Sequence, residues 1–290
     1  MIIVKLAGGL GNQMFQYAAA RGTGDRTIFF DLAHLENHNP DSDQFTPRIF
    51  EIDIFSNLMG RKFNPLQEKL FNSDKWIYKA LRNISYGRMD VVKQRDNEFV
   101  TIPKSNRLLL HGFFQSEKYF KPIRVQLLQE FGFPPLDEQN LKLADKIKVI
   151  ENPVSIHVRR GDYLKPKVQE YHGILPIEYY QKSMAFIESK TSNPFYFIFS
   201  DDPAWCEANL ASGLSNYVLV KGNTDSSAWM DMCLMTLCKH HIIANSSFSW
   251  WGAWLGSNPD KIVLAPSQWF NDVAMNTSAR SLIPESWIRI

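Results

Sequence analysis

IIVKLAGGLGNQMFQYAAARG (residues 2–22), followed by TIFFD (27–31), reads as a buried strand, a glycine turn, a helix and a second strand. A β-turn-α-β start of this kind makes the chain α/β. The alternation returns more cleanly in the second half. PVSIHV (153–158), FYFIFS (195–200), YVLV (217–220), HIIA (241–244) and KIVLA (261–265) read as strands. PIEYYQKSMAFIES (176–189), DDPAWCEANL (201–210), SSAWMDMCLMTLCKH (226–240) and SFSWWGAWLG (247–256) read as the helices between them. In the first half, 32–65 reads as irregular, 66–90 as helical, RLLLH (107–111) as a strand and 113–131 as largely helix, stopped by Gly132 and the Pro134-Pro135 pair. A linker and connecting helix fill 132–152. Two Rossmann-like domains are expected, residues 1–145 and 146–290.

The composition fits that reading. Of 290 residues, 44% are hydrophobic and 21% charged, which excludes a mainly disordered chain. Lys and Arg total 32 against 30 Asp and Glu, a net +2, so a general polyanion binder is excluded and nucleic acid is not an expected partner. No secretory signal opens the sequence and no run of about 18 uncharged apolar residues occurs, so a cytoplasmic protein is expected. Cys206, Cys233 and Cys238 are too few and odd in number for a disulfide framework and read as buried thiols. The sequons at Asn83, Asn245 and Asn276 carry no weight without such a signal. The aromatic share, 13% with 8 Trp and 20 Phe, is high.

Four motifs can carry chemistry. HVRRGDY (157–163) follows a strand directly, where α/β sheets bind ligands. Arg159 and Arg160 offer rigid forks of donors to phosphate oxygens, Gly161 permits a tight turn, and Asp162 can orient an arginine or a ligand hydroxyl. FSDD (199–202) also follows a strand; its carboxylates suit a base or ribose, but taken by itself Ser-Asp-Asp-Pro reads as a helix N-cap. NSSFSWWGAWL (245–255) opens a helix with hydroxyls and backbone N–H groups suited to an anion, while Trp250, Trp251 and Trp254 read as core. GGLGNQ (8–13) resembles a dinucleotide fingerprint but fails at its third glycine, where Met14 stands; Asn12 and Gln13 read as exposed amides. Asp41-Ser42-Asp43 has the D-x-D form of metal-dependent sugar transferases, yet no strand precedes it.

Taken together, AGGLGNQMFQYA (7–18), GFFQSEKYF (112–120), HVRRGDY, FSDD and NSSFSWWGAWL resemble the α-1,2-fucosyltransferase family in its short bacterial form. The resemblance implies a GT-B-like fold, two Rossmann-like domains facing a cleft, with the acceptor on the N-terminal side and GDP-fucose in the C-terminal domain. It implies inverting transfer of L-fucose from GDP-β-L-fucose to the 2-hydroxyl of a terminal β-galactoside, such as lactose or a lipid-linked glycan of O-antigen synthesis. It implies no cofactor and no metal. Arg159 matches the arginine on the β-phosphate, with Arg160 assisting and His157 and Asp162 shaping the same pocket. Asp201 matches the acidic residue near guanine and ribose; Ser246, Ser247 and Phe248 match the turn touching phosphate and base; Asn12 matches the glycine-loop asparagine facing the donor. Arg159, His157 and Asp162 are the expected catalytic residues, the last two as candidate bases. Phe113, Phe114 and Trp76 are candidates to face the acceptor sugar. Peripheral contact with the inner membrane face is a further expectation.

Two rival readings stand beside this one. An NAD-dependent oxidoreductase would bind NAD and not GDP. A non-catalytic nucleotide-sugar-binding protein on the same fold would bind GDP-fucose without turnover.

Overall fold

The computed structural model describes residues 1–36, 48–95 and 97–290. The Asp41-Ser42-Asp43 sequence lies outside the described residues. Two compact units form, Met1–Gly132 with Ser278–Leu282, and Phe133–Thr277 with Ile283–Ile290.

The first unit runs β1 (Ile2–Lys5), α1 (Leu10–Arg21), β2 (Ile28–Asp31), α2 (Ala33–Glu36), β3 (Gly60–Lys62), α3 (Pro65–Asn72), α4 (Trp76–Tyr86), β4 (Asp90–Lys93), β5 (Leu108–His111) and α5 (Arg124–Glu130). Its five strands are all parallel, in the order β3-β2-β1-β5-β4. Helix α1 starts at Leu10, earlier than expected, because Gly9 caps it in an extended conformation. It is buried on nearly every side, and its two glutamines serve backbone. Gln13 donates to the carbonyls of Gly8 and Ile49 (both 2.8 Å) and accepts from the N–H of Glu51 and Ile52 (2.9 and 3.1 Å). Gln16 accepts from Ala7 N–H and donates to the carbonyls of Lys5 and Gly112. Gln13 is therefore not the exposed amide expected; a buried amide must find partners, and here the loop supplies them.

Three further expectations change. Residues 113–131 are not one helix: 3₁₀ turns at Glu117–Tyr119 and Lys121–Ile123 precede α5. Phe114 sits at φ 52° and is wholly buried, and the Ser116 side chain caps the first turn, so helix cannot start earlier. That burial also removes Phe114 from the sugar-facing candidates. The 66–90 segment breaks at Ser73–Lys75 into α3 and α4, and its end enters β4. The 32–65 stretch contains β3. Strands β3 and β4 are the two sheet edges, GRK and DVVK, too exposed to show an apolar run.

The second unit runs α6 (Glu138–Val149), β6 (Pro153–Val158), α7 (Pro166–His172), α8 (Ile177–Glu188), β7 (Phe195–Ser200), α9 (Pro203–Trp205), β8 (Tyr217–Leu219), α10 (Trp229–Leu237), β9 (His240–Ile242), α11 (Ser247–Leu255), β10 (Val263–Ala265), α12 (Val273–Ser278) and β11 (Ile288–Arg289). The parallel sheet has the order β11-β10-β9-β6-β7-β8. One face buries Val154, Ile156 and Val158 against Tyr179, Tyr180 and Ile187 of α8. The other buries Phe197 and Phe199 against Ala144 and Ile147 of α6 and Leu234 and Met235 of α10. Those α6 contacts explain why the chain divides at 132/133, upstream of the expected 145/146. Trp250, Trp251 and Trp254 are core, with rings 5.0–6.0 Å apart. Both units are thus α/β with parallel sheets, as expected.

Candidate active site

In strand order within its own unit, the second sheet reads 6-5-4-1-2-3, the doubly wound arrangement whose ligand crevice opens where the order reverses. That point lies between β6 and β9. The loop leaving β6 is Arg159-Arg160-Gly161, and the turn leaving β9 is Asn245-Ser246-Ser247. Two of the sequence motifs therefore meet at the switch point, and the third, leaving β7, is their neighbour.

Carboxylates from β7 hold the arginines. Asp201 Oδ2 lies 2.8 Å from Arg159 Nη1, and Asp201 Oδ1 accepts from the Arg160 backbone N–H at 2.8 Å. Arg160 Nε donates to Asp202 Oδ2 at 3.1 Å, and its guanidinium stacks 4.2 Å above the Trp205 ring. Asp202 also caps α9, its Oδ1 accepting from Trp205 N–H at 3.1 Å. The cap reading of FSDD is realised at Asp202, whose Oδ1 takes the helix N–H while its Oδ2 takes Arg160. Asp201, matched to a base- and ribose-side role, is engaged by the arginines here. At Gly161 a Cβ would stand 2.8 Å from Asp201 Oδ2, so only glycine lets the loop lie this close.

The turn after β9 is fixed as firmly. Asn245 Nδ2 donates to the carbonyls of His172, Gly173 and Trp269, and Ser246 Oγ caps α11 by accepting from Phe248 N–H. Ser247 and Phe248, in the first helical turn, remain part-exposed. Tyr163 ties the two loops together: its hydroxyl donates to the Asn245 carbonyl at 3.1 Å, and its ring lies 5.8 Å below the Arg159 guanidinium. His157, at the end of β6, packs 5.7 Å from the Phe248 ring. Burial first, then the Arg159 charge, lowers its pKa to about 3, so the imidazole is neutral at neutral pH. Its buried Nδ1 has no hydrogen-bond partner among the described residues.

Arg159, Arg160, His157, Asp201, Ser246, Ser247 and Phe248 thus belong to one loop cluster. Asp162 begins a short 3₁₀ turn, Asp162–Leu164; its side chain is outside the described residues. Asn12 belongs to the first unit, where its Oδ1 accepts from Gln115 Nε2 at 2.7 Å. Sequence reasoning passed over Trp205, Tyr163 and Asn245. Tyr163 and Asn245 stood inside quoted motifs and Trp205 just after one, but their partners are distant in sequence. No group of three or more His, Cys, Asp or Glu side chains that could hold a metal occurs among the described residues. No described helix is long and apolar enough to cross a membrane.

Fold and loops place the chain among doubly wound α/β proteins, which take their ligands at such a switch point. The chain belongs to glycosyl transferase family 11, whose family model matches residues 1–290, and it is a glycosyltransferase. It is 32% identical to the O-antigen biosynthesis glycosyltransferase WbnK of Escherichia coli, over 98% of this chain and 99% of the relative. It is 32% identical to an alpha-1,2-colitosyltransferase of Escherichia coli, over 100% and 99%. The galactoside alpha-(1,2)-fucosyltransferase 1 of Ateles belzebuth is 28% identical over 54% of this chain and 45% of its own. Among solved structures, the fucosyltransferase NodZ from Bradyrhizobium matches with a TM-score of 0.47 at 15% identity, covering 94% of each chain.

Proposed function

We propose that the protein transfers L-fucose from GDP-β-L-fucose to the 2-hydroxyl of a terminal β-galactoside, forming an α-1,2 linkage with inversion and without a metal ion. The observation that carries this reading is the pair of arginines at the switch point, beside the capped start of α11. Family membership and the galactoside alpha-(1,2)-fucosyltransferase relatives support it.

As GDP leaves, charge grows on the β-phosphate and the fucosyl carbon becomes oxocarbenium-like. Arg159 stabilises that charge in place of a metal, with Arg160 held alongside by Asp202 and Trp205. Ser246, Ser247 and the first N–H groups of α11 complete the anion site. The galactose hydroxyl must lose its proton to a base. Asp162 and His157 are the candidates for that step, and His157 also supports the pocket by packing on Phe248. The first unit serves the acceptor, a lactose-like or lipid-linked glycan, and the protein works at the inner membrane face.

A second donor has specific support. The full-length relative named an alpha-1,2-colitosyltransferase points to GDP-colitose, whose sugar is L-fucose lacking the 3-hydroxyl. A site that hydrogen-bonds that hydroxyl rejects the deoxy sugar by about 10⁴-fold or more, whereas an apolar one discriminates little. GDP release from each donor with lactose, with and without EDTA, tests both readings. Turnover of GDP-fucose unaffected by EDTA is expected. Strict metal dependence, NAD binding in place of GDP, or GDP-fucose binding without turnover would each replace the proposal.

A further inference from the structure

Helix α4 turns its apolar side outward. At helical spacing, Trp76, Ala80 and Ile84 form one line, with Ile77 and Leu81 beside it. Trp76 is 78% exposed and Ile84 81%. Tyr78, Arg82 and Tyr86 form the opposite side and do the packing. Tyr78 and Tyr86 pack on the cluster around Phe63, Leu70 and Phe71, and Arg82 stands 5.7 Å over the Phe71 ring. A helix of this amphipathicity normally buries its apolar face. Here that face is open, and it is wider than the single ring a sugar stacks on.

Its surroundings are basic. Residues 61–95 hold nine Lys and Arg against three Asp and Glu, while the whole chain is only +2, so the remainder is net negative. Lys75, Lys79 and Arg88 are exposed on or next to α4, and Arg61 lies over Phe29 on the same face of the sheet. An outward stripe of Trp, Ile and Leu set among cations fits an anionic lipid surface, with the rings at the headgroup level and the cations on lipid phosphates.

We propose that α4 is the membrane-docking element of this protein and that its partner is an anionic bilayer. The inference deepens the peripheral-membrane part of the function proposed above, and it is scored on vesicle binding alone, apart from turnover.

The test is flotation of the full chain with phosphatidylcholine–phosphatidylglycerol vesicles and with phosphatidylcholine vesicles. Binding to the former only, weakened by added salt, is expected. Trp76→Ser with Ile84→Ser should weaken partition by about tenfold or more. Lys75→Glu with Lys79→Glu should do the same, and Trp76→Phe should keep binding. All these side chains are exposed, so an unchanged melting curve checks the fold. Absence of vesicle binding, or binding unaltered in both double variants, overturns the proposal. So does a concentration-dependent dimer that the same variants abolish, which would assign the face to a second copy of the chain.

Discussion

Arg159 is the residue on which most of the proposed chemistry rests. It keeps a 2.8 Å ion pair with Asp201, so its fork is aimed before any ligand arrives. Replacing it with lysine keeps the charge but not the paired, planar donors. Arg159→Lys should lower the rate of GDP release by about 100- to 1000-fold, measured at saturating donor and acceptor. Near wild-type turnover would move the role elsewhere. Gly161→Ala tests the same loop from the other side. The added methyl meets Asp201 Oδ2, the group that holds Arg159, so kcat should fall while the melting temperature shifts by only a few degrees. These residues were legible because the motif names them and the strand before them places them. Their pairing was not: Asp201 and Arg159 are far apart in sequence, and only the parallel register of β6 and β7 brings them level.

At the scale of elements, the interior strands and the longer helices could be read from their apolar runs, and of the four sheet edges only β8 could. β3, β4 and β11 are two to four residues long and half exposed, so nothing in their composition separates them from loop. The amides of α1 misled for a related reason. Gln13 looks like a surface residue by type, yet it closes the 49–52 segment over the helix by four hydrogen bonds. Gln13→Leu should cost about 2–4 kcal/mol in urea unfolding, since several backbone groups lose their partner together. The contact between α10 and α11 is equally tight. A Cβ at Gly252 would stand 2.9 Å from Met235 Cβ, so Gly252→Ala should destabilise by about 1–3 kcal/mol. A variant as stable as the parent would show that the two helices can part.

Over the whole molecule, the buried histidines set how stability varies with pH. His157 and His240 have pKa values lowered to about 3 and about 4 from 6.5, and His241 is lowered well below its ordinary value, each chiefly by burial. His240 Nδ1 accepts the Ile262 N–H, and His241 Nδ1 pairs with Ser155 Oγ at 2.8 Å. The unfolded chain protonates these groups near 6.5 and the folded chain does not, so the folded state is favoured fully above that pH and progressively less below it. Asp231, raised by burial from 3.8 to about 7, works in the opposite sense over much of the same range, one group against three. The melting temperature should therefore hold between pH 7 and 8 and fall as pH drops from 6.5 toward 4. A flat profile across that window would show the histidines to be charged in the fold.

The path of the chain between its two units carries a consequence for recombination. It crosses at 132/133, crosses back at 277/278, and crosses again at 282/283. The five residues of that return belong to the first unit, where the Ser281 carbonyl accepts from Ser116 Oγ at 2.8 Å. A single genetic exchange near the middle of two homologous genes would leave this short piece from the wrong parent, seated among side chains it did not evolve with. Hybrids that swap donor and acceptor preferences between members of the family should therefore express best when three junctions are cut rather than one.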